Sequence, residues 1–344
     1  MLAGEWKVME YESMTGNEPA LLYLSHADVC RALPMADAIE AMHAAFLQLS
    51  DGQVTLPARS RVEIPEANGV VLIMPCYAAG THHVSLKLLT QFADNGRLGL
   101  PLIQAVVLLA DAVNGRLLAI VDGTAITALR TGAASGVATR LLAQPRADTA
   151  AIFGAGVQAR TQLEAVCTVR EIKQVRVFDC RRAAAEIFAE DMSVRLGIPV
   201  LVASSAAETL AGAQVVCTAT TSTTPVFEDR ELAAGVHINA VGSWRPRTAE
   251  IPPDTICRAR VFVDHRVAAL EEAGDLLMPL QKGRIMAEHV RNELGDLIAN
   301  RVAGRQTRDE VTLFKSVGLA VQDLFAAARA VENARRLGIG TVLT

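Results

Sequence analysis

One short segment limits the possible folds of this chain more than any other. Residues 151–166 read AIFGAGVQARTQLEAV, in which an apolar run meets two glycines and continues with helical spacing. The turn fits the pattern G-x-G-x-x-G/A between a strand and a helix. Gly154 permits the sharp bend, Gly156 lets backbone N–H groups approach a pyrophosphate, and Ala159 keeps helix and strand close. Because the helix start adds N–H donors and partial positive charge, the segment predicts a phosphate-holding turn rather than a simple bend.

The apolar runs around this turn alternate between strand and helix patterns. Helical stretches read VQARTQLEAVCTV, RAAAEIFAEDMSVRLG and SAAETLAGA, and they separate the strand-like runs TAAIFGAG, QVRVFDC, PVLVA and VVCTATT. VHINAVGS and RVFVDH follow as two more strands. Strands that alternate with helices form parallel sheets covered on both faces. The pattern therefore predicts an α/β fold with a doubly wound parallel sheet.

The first part of the chain has a different pattern. Strand-like pieces read RSRVEIP, GVVLIMPCYA and HHVSLKLLTQF, and LIQAVVLLADAVNGRLLAIVDG holds two apolar runs joined by the hairpin signal AVNG. TAITALRTGAASGVATRLLA is rich in small residues and predicts a closely packed helix that bridges two domains. TLFKSVGLAVQDLFAAARAVENARRLG reads as helical and returns to the first domain. We therefore predict a second, α+β domain with antiparallel strands.

Length and composition exclude several function classes. A chain of 344 residues with 51% hydrophobic and 20% charged residues is typical of a two-domain globular protein. The net charge is −4 with both signs interspersed, so we expect no nucleic-acid partner. No signal segment or membrane-length apolar run occurs, which predicts a cytoplasmic protein without membrane association. The six cysteines form no C-x-x-C pair, so we expect no metal site.

Polar residues follow the next two strands after the glycine turn. Asp179 ends QVRVFD, about 20 residues past the turn, where an acid binds the ribose hydroxyls and favours NAD over NADP. Arg181 and Arg182 follow at once and could bind a 2′-phosphate, so NADP stays open. The alternative for Asp179 is an N-cap for the following helix. Thr218 and Thr220 end VVCTAT at the ligand-binding edge of the sheet, with ordinary turn chemistry as the alternative.

Three cations lie among apolar or small residues in the first half of the chain. They are Arg59 in TLPARSRV, Lys87 in VSLKLLTQF and Arg130 in AITALRTGAAS. A buried cation is costly unless it meets an anion. Arginine can clamp a carboxylate with two parallel bonds, and the pKa of a lysine can fall on burial so that it donates a proton. The three predict a pocket for a carboxylate substrate or a cofactor phosphate, with surface cations as the alternative.

Together these segments resemble one known family. RS at 59–60, SLKLL around Lys87, TALRTGAAS around Arg130, FGAGVQA at 153–159, INAVGSWRP at 238–246 and FKSVGLAVQDL at 314–324 resemble the ornithine cyclodeaminase/mu-crystallin family. The likeness runs from about residue 20 to 330. It implies a Rossmann domain inserted into a second domain through which homodimers form. The implied units are a tail over 1–20, a substrate-binding and dimerisation domain over 21–130 and 318–344, and a Rossmann domain over 131–317.

The resemblance also implies roles for individual residues. Arg59 and Lys87 match the carboxylate-binding pair and the catalytic groups, Arg130 matches a cofactor-phosphate contact, and Val317 lines the substrate site. The remaining expected NAD(H) or NADP(H) contacts are Gly154, Gly156, Val157, Gln158, Ala159, Asp179, Arg181, Thr218, Thr220, Val241 at the end of the 238–241 strand, and Ser316. Members of the family act on small α-amino or α-imino acids with a nicotinamide cofactor.

One departure separates this sequence from the cyclodeaminases and alanine dehydrogenases of the family. Those enzymes carry an aspartate and, four positions on, a lysine where this chain has Trp244 and Thr248. An indole can neither accept a proton nor pair with an ammonium as a carboxylate does. The Arg245-Pro246 pair is similar to mu-crystallin and the imino-acid reductases. We therefore expect Trp244 to border the substrate in a ketimine reductase.

The expected reaction is reduction of pyrroline-2-carboxylate or piperideine-2-carboxylate to proline or pipecolate. The substrate carboxylate would bind Arg59, and Lys87 would supply the proton that makes an iminium. Three alternatives remain at this stage: an ammonia-releasing ornithine cyclodeaminase, an alanine dehydrogenase-like enzyme, and a non-catalytic binding protein like mu-crystallin.

Overall fold

The computed structural model describes residues 21–343. The predicted tail over residues 1–20 lies outside the described residues, as does Thr344. The strands are β1 Leu21–Leu24, β2 Val54–Thr55, β3 Ser60–Ile64, β4 Gly69–Ala78, β5 His83–Phe92, β6 Ile103–Asp111, β7 Leu117–Asp122, β8 Thr149–Phe153, β9 Gln174–Phe178, β10 Val200–Val202, β11 Val215–Thr218, β12 His237–Ala240, β13 Arg260–Val263, β14 Asn292–Glu293, β15 Thr312–Lys315 and β16 Thr341–Leu343.

The helices cover both sheets that these strands form. The α-helices are α1 His26–Ala32, α2 Met35–Ser50, α3 Gly123–Leu142, α4 Val157–Val169, α5 Arg182–Leu196, α6 Ala206–Leu210, α7 Pro253–Arg258, α8 Arg266–Glu272, α9 Gly274–Gln281, α10 Leu294–Ile298 and α11 Ala320–Leu337.

The first sheet is built from the N-terminal strands and the last strand of the chain. Its order is β16-β1-β7-β6-β5-β4-β2, with β3 also paired to β4. The β1–β7 pair is parallel, whereas the other pairs are antiparallel. The predicted hairpin joins β6 to β7, through a turn in which Asp111 accepts a hydrogen bond from the Val113 N–H at 2.7 Å and Gly115 adopts a φ of 77°. The predicted domain with antiparallel strands is confirmed.

Strand β5 gives the first sheet two different faces. Successive side chains of a strand point to opposite sides. Lys87 and Leu89 are buried on the face that α11 covers, while Val84, Leu86 and Leu88 are exposed on the other face. The pleat therefore carries the lysine into the interior and leaves an apolar outer surface on the single chain.

Helix α3 lies between the two sheets and is buried along most of its length. It packs against α2 and β6 on one side and against α4 and β12 on the other. Small residues allow this closeness, because a Cβ at Gly132 would collide with the backbone of Thr161, and one at Gly136 would lie 2.7 Å from the Ile39 side chain. The domain boundary expected between residues 130 and 131 falls inside this helix.

The second sheet is parallel and has the order β10-β9-β8-β11-β12-β15-β13-β14. The predicted doubly wound sheet is confirmed. The order reverses between β8 and β11, so a crevice opens at the carboxyl ends of these two strands. This edge of the sheet faces the inner side of the first sheet across the cavity described below.

One stretch of the predicted C-terminal helix is wrong. Residues 312–315 form β15, which pairs with β12 and β13, and α11 begins only at Ala320. All four residues of β15 are buried. A strand covered on both faces shows no alternation between apolar and polar residues, so four residues cannot be distinguished from the start of a helix by periodicity.

Two kinds of feature are absent from residues 21–343. No helix there combines the length and apolar character needed to cross a bilayer. No group of three or more His, Cys, Asp or Glu side chains is arranged there to hold a metal ion.

Candidate active site

A cavity of about 440 Å³ lies between the inner face of the first sheet and the carboxyl edge of the second. Its wall is mostly apolar, with a few charged and polar groups. Eleven of the residues predicted to form the site line this one cavity: Arg59, Lys87, Arg130, Gly156, Val157, Gln158, Thr220, Val241, Trp244, Ser316 and Val317. The others, Gly154, Ala159, Asp179, Arg181 and Thr218, lie outside its wall.

Two of the three predicted cations share a buried carboxylate that was not among the predicted site residues. Asp323, in the first turn of α11, accepts a hydrogen bond from Lys87 Nζ at 2.9 Å and another from Arg130 Nε at 3.2 Å, both at its Oδ1 atom. Arg130 Nη1 also donates to Gln322 Oε1 at 2.9 Å. Lys87 and Asp323 are almost completely buried. Lys87 and Arg130 are therefore buried next to an anion, as expected. That anion is the side chain of Asp323 and not a ligand.

The charge state of Lys87 depends on this environment. Burial lowers the pKa of Lys87 to about 8, and the negative charge of Asp323 opposes that lowering. The nearby guanidinium groups of Arg130 and Arg59 lower the pKa further. An ammonium with a pKa this close to neutrality can give up and regain a proton during a reaction.

Arg59 has two partners at the edge of the cavity. Its Nη2 donates to the Gly318 carbonyl at 2.8 Å, and its Nε lies 3.1 Å from Glu272 Oε1. Burial raises the pKa of Glu272, while Arg59 opposes this rise. The two contacts use the Nε and Nη2 atoms of the guanidinium, which leaves Nη1 and the second Nη2 hydrogen for a ligand carboxylate.

The glycine turn has the geometry that the motif requires. Gly154 adopts a φ of 97°, and a Cβ there would lie 2.6 Å from the Ala219 carbonyl oxygen. A Cβ at Gly156 would meet no atom within 4 Å. Gly156 is also the N-cap of α4 and offers no side chain to the first N–H groups of that helix. Gln158 Oε1 is buried without a hydrogen-bond partner. Open space, free donors and an unpaired acceptor fit a bound dinucleotide.

Asp179 stabilises this turn directly. Its Oδ2 accepts a hydrogen bond from the Ala155 N–H, and its Oδ1 accepts one from the Arg181 N–H, each at 2.9 Å. The N-cap of α5 is Arg181, so the alternative of Asp179 as the helix N-cap is wrong. Arg181 itself is exposed and contacts Asp179 from the solvent side. The aspartate therefore stands beside the turn at the end of β9, outside the cavity.

Thr218 and Thr220 differ in position although both end β11. Thr218 is completely buried and donates to Glu250 Oε2 at 3.0 Å, so it has no free surface for a cofactor. Glu250 also accepts hydrogen bonds from the N–H and hydroxyl of Thr220, each at 2.7 Å, and from the N–H groups of Gly242 and Ser243. One carboxylate therefore holds the two loops that carry Thr220 and Trp244 to the cavity. The expected contact of Thr218 with the cofactor is not supported by this burial.

A buried ion pair between Lys315 and Asp275 holds the backbone at Glu250 in place. Lys315 Nζ lies 2.7 Å from Asp275 Oδ2 and also donates to the Ser243 carbonyl. Asp275 Oδ1 accepts hydrogen bonds from the N–H groups of Glu250 and Ile251 at 2.7 and 2.9 Å. Burial raises the pKa of Glu250, and Lys315 opposes this rise. The loop that carries Trp244 is thus held by buried charged groups.

The turn after β15 is held in a similar way. Asp264 Oδ2 accepts hydrogen bonds from the Ser316 hydroxyl and from the N–H groups of Val317 and Gly318, all at 2.8 Å. Gly318 adopts a φ of 81°, and a Cβ there would lie 2.6 Å from Arg130 Nη1. Asp264 therefore fixes three residues of the cavity wall, and the missing side chain of Gly318 lets Arg130 lie against the backbone.

Trp244 borders the cavity at the position where a carboxylate would define a different reaction. It is half-buried, and the guanidinium of Arg245 lies 5.1 Å from the centre of its ring. Thr248 does not extend toward the cavity, because its hydroxyl donates to the Arg245 carbonyl at 3.2 Å. Asp323 and Glu272 are the acids that contact Lys87 and Arg59, and each is paired with that cation.

Sequence similarity now decides the family. The family model described as "Ornithine cyclodeaminase/mu-crystallin family" matches residues 21–337. The chain belongs to the ornithine cyclodeaminase/mu-crystallin family. A Delta(1)-pyrroline-2-carboxylate reductase of Bacillus cereus (strain ZK / E33L) is 37% identical over 321 residues, which are 93% of this chain and 98% of that protein. The ketimine reductase mu-crystallin of Mus musculus is 39% identical over 289 residues, covering 84% of this chain and 88% of that protein.

Solved structures of the ornithine cyclodeaminase/mu-crystallin fold agree. The Delta(1)-pyrroline-2-carboxylate reductase of Thermococcus litoralis, in complex with NADH and L-proline, has a TM-score of 0.91 and 40% identity, covering 94% of this chain and all of that one. An archaeal alanine dehydrogenase dimer with bound NAD has a TM-score of 0.88 and 31% identity, covering 94% and 99%. The expected fold and family resemblance are confirmed.

The charged groups that hold the cavity residues were only partly predictable from the sequence. The acids and the lysine that position the cavity residues were missed: Asp264, Glu250, Glu272, Asp275, Lys315 and Asp323. One signal was available for Asp323, which lies in the apolar run VGLAVQDLF, where the cost of burying a charge would have predicted a cationic partner.

Proposed function

We propose that this protein is an NAD(P)H-dependent reductase of a small cyclic α-imino acid, pyrroline-2-carboxylate or piperideine-2-carboxylate, with proline or pipecolate as the product. One observation carries the proposal: Arg59 and Lys87 line the same cavity as the glycine turn at Gly156. The reductases that are 37–40% identical to this chain support the choice of substrate class.

The proposed roles follow from the geometry of the cations. Arg59 binds the substrate carboxylate through its free guanidinium edge, while Glu272 and the Gly318 carbonyl fix the opposite side of the group. Lys87 lies deeper in the cavity and donates a proton to the ring nitrogen. A reduced nicotinamide, when bound, supplies the hydride to the carbon of the C=N bond. Lys87 then regains its proton from solvent, and the apolar wall formed by Trp244 and Val317 excludes other water from the reacting bond.

The dinucleotide would bind along the carboxyl edge of the second sheet. Gly156, Val157 and Gln158 would hold its phosphates at the N-terminus of α4, with Arg130 approaching from the other side. Thr220, Val241 and Ser316 would line its path. We propose a preference for NADH because Asp179 is positioned at the end of β9 to repel a 2′-phosphate. The proposed units remain residues 21–130 with 318–344 for the substrate, and 131–317 for the dinucleotide.

Trp244 favours the reductase over a cyclodeaminase. An amine substrate must be deprotonated before it can be oxidised, and a carboxylate at this position would assist that step. Reduction of an iminium needs an acid and a hydride donor, and no base near the nitrogen. An indole on the cavity wall is compatible with that requirement.

The direct test measures NADH and NADPH oxidation at 340 nm with each cyclic imino acid. We expect oxidation with at least one of them, and a lower KM for NADH than for NADPH. Ammonia release from ornithine without net cofactor consumption would instead indicate the cyclodeaminase, and NADH formation with alanine would indicate the dehydrogenase. Cofactor binding without turnover of any of these compounds would overturn the proposal in favour of a binding protein.

We also propose that two chains associate through the first sheet. Its outer face exposes Tyr23, Tyr77, Val84, Leu86 and Leu88, each 37–41% accessible. A continuous apolar sheet face on a single chain is typical of a protein interface.

The assembly test compares two charge insertions at exposed apolar positions. Leu86→Glu changes the sheet face, whereas Val194→Glu changes α5 at a site that is 83% exposed. We expect the first variant to have the mass of one chain by light scattering and the second the mass of two. Dimers in both variants would exclude this sheet face as the interface.

A further inference from the structure

The three cations of the cavity belong to one connected network. Lys87 comes from β5, Arg130 from α3, and Asp323 from α11, so the carboxylate is the point at which three elements meet. Lys87 and Asp323 are separated by 236 residues in sequence. Arg130 also lies against Gly318, whose carbonyl accepts the hydrogen bond of Arg59. A displacement of Asp323 would therefore reach every cation that lines the cavity.

The carboxylate of Asp323 has few other uses. Both hydrogen bonds reach Oδ1, and Oδ2 has no hydrogen-bond partner among the described residues. The side chain is 1% exposed and does not line the cavity. A buried charge without other contacts is retained at considerable cost in free energy, and here its contacts are both to cavity cations.

We propose that Asp323 is a positioning residue that fixes Lys87 and Arg130 in one geometry and keeps Lys87 in its ammonium form, without touching the substrate. This inference rests on the proposed function, in which Lys87 donates a proton. It assigns to Asp323 the task of keeping that donor charged in a site that burial would otherwise neutralise.

The groups that face Lys87 determine the direction of the effect. Asp323 is the anion in contact with it, and Arg130 and Arg59 are the cations acting on it. Cys76 on β4 also lies near Asp323. Burial, together with the charge of Asp323, raises the pKa of the Cys76 thiol to about 12, so the thiol is neutral. Without the carboxylate, Lys87 would face only burial and two positive charges. Its pKa would then fall below its present value of about 8.

The first experiment measures the titration of Lys87 without any turnover. The chain has five lysines, Lys7, Lys87, Lys173, Lys282 and Lys315, so ¹³Cε labelling of lysine gives few NMR signals. The signal that disappears in Lys87→Arg assigns the residue. We expect Asp323→Asn to lower the titration midpoint of Lys87 by about one pH unit or more. The signal of Lys315, which is paired with Asp275, is the internal control and should be the same in the variant and in wild type. An unchanged midpoint for Lys87 in the folded variant would overturn the inference.

The second experiment compares pH profiles of kcat/KM. A lysine that must be protonated supports activity below its pKa and loses this effect as the pH rises through that value. We expect wild-type activity to decline above pH about 8. In Asp323→Asn the decline should begin at lower pH, so for a shift of one pH unit the ratio of wild-type to variant activity should be about fivefold larger at pH 8 than at pH 6, and more for a larger shift. A ratio that is constant with pH indicates a merely structural role and contradicts the inference.

A third variant covers the case in which Asp323→Asn does not fold. Asp323→Glu keeps the charge but moves it by one methylene in a packed site. We expect Lys87 to titrate near its wild-type midpoint while kcat/KM falls about tenfold, because Nζ is displaced. Unchanged kcat/KM would exclude a positioning role. If wild-type protein reduces no imino acid and yet the Lys87 midpoint moves in Asp323→Asn, then the proposed function fails while the control of Lys87 by Asp323 stands.

Discussion

The two walls of the cavity are built by different means. The wall from the second sheet offers backbone: a glycine turn, the start of α4 and the ends of parallel strands. The opposite wall, from the first sheet and α3, offers charged side chains held by other charged side chains, such as Lys87 and Arg130 on Asp323. Backbone donors cannot titrate or rotate away, whereas a side-chain network can do both. The dinucleotide side is therefore suited to holding, and the cationic side to proton transfer.

The largest expected effect tests whether proton transfer belongs to the cationic wall. Lys87→Met keeps most of the buried side-chain volume and removes the ammonium. We expect kcat to fall about 10³-fold, since a positioned acid contributes on this scale, while the dissociation constant of NADH, measured by fluorescence, changes less than about twofold. Lys173→Met, at a mostly exposed lysine, is the control and should behave as wild type. A Lys87→Met enzyme with near-normal kcat would assign the proton donor elsewhere.

The second prediction separates substrate binding from chemistry on the same wall. Arg59→Met removes the guanidinium that we expect to clamp the carboxylate. The KM for the imino acid should rise about 100-fold, with a smaller change in kcat, because a charge-assisted bidentate contact is lost. Cofactor affinity should not change. An unchanged KM for the imino acid would show that Arg59 does not bind the substrate and that its pairing with Glu272 is structural.

The contrast between the walls also explains what the sequence could predict. The glycine turn, the alternating elements and the β6–β7 hairpin depend on local patterns, and the fold confirms them. The partners of the cations depend on contacts between residues hundreds of positions apart, such as Lys87 with Asp323. A single sequence does not show which residues of two such distant segments come into contact. β15 was predicted as helix for a related reason, because a strand that is buried on both faces shows no alternation of apolar and polar residues.

The third prediction concerns the dinucleotide wall, on which Gly154 and Gly156 have different roles. A Cβ at Gly156 meets open space and its φ is −83°, so Gly156→Ala should fold with an unchanged Tm. If phosphates occupy that space, NADH affinity should fall about 10- to 100-fold. Gly154→Ala should instead lower Tm, because a φ of 97° and the Ala219 carbonyl at 2.6 Å both oppose a Cβ.

Gly96 provides the matched control for this pair, since a Cβ there also meets no atom within 4 Å. Gly96→Ala should leave both Tm and NADH affinity unchanged. Equal NADH affinity in Gly156→Ala and wild type would contradict phosphate binding at the turn.

The smallest effect concerns cofactor choice, where a side chain modifies the backbone wall. Asp179 accepts hydrogen bonds from the Ala155 and Arg181 N–H groups, so Asp179→Ser weakens the turn for either cofactor. The ratio of the two kcat/KM values, for NADH and for NADPH, is not affected by a loss that is common to both cofactors. We expect kcat/KM for NADH relative to NADPH to fall about tenfold, because the charge that opposes a 2′-phosphate is gone and Arg181 can pair with it. Adding Arg181→Ala should reverse part of this fall. If Asp179→Ser leaves the ratio unchanged, then Asp179 serves only the turn, and the NADH preference must come from another part of the site.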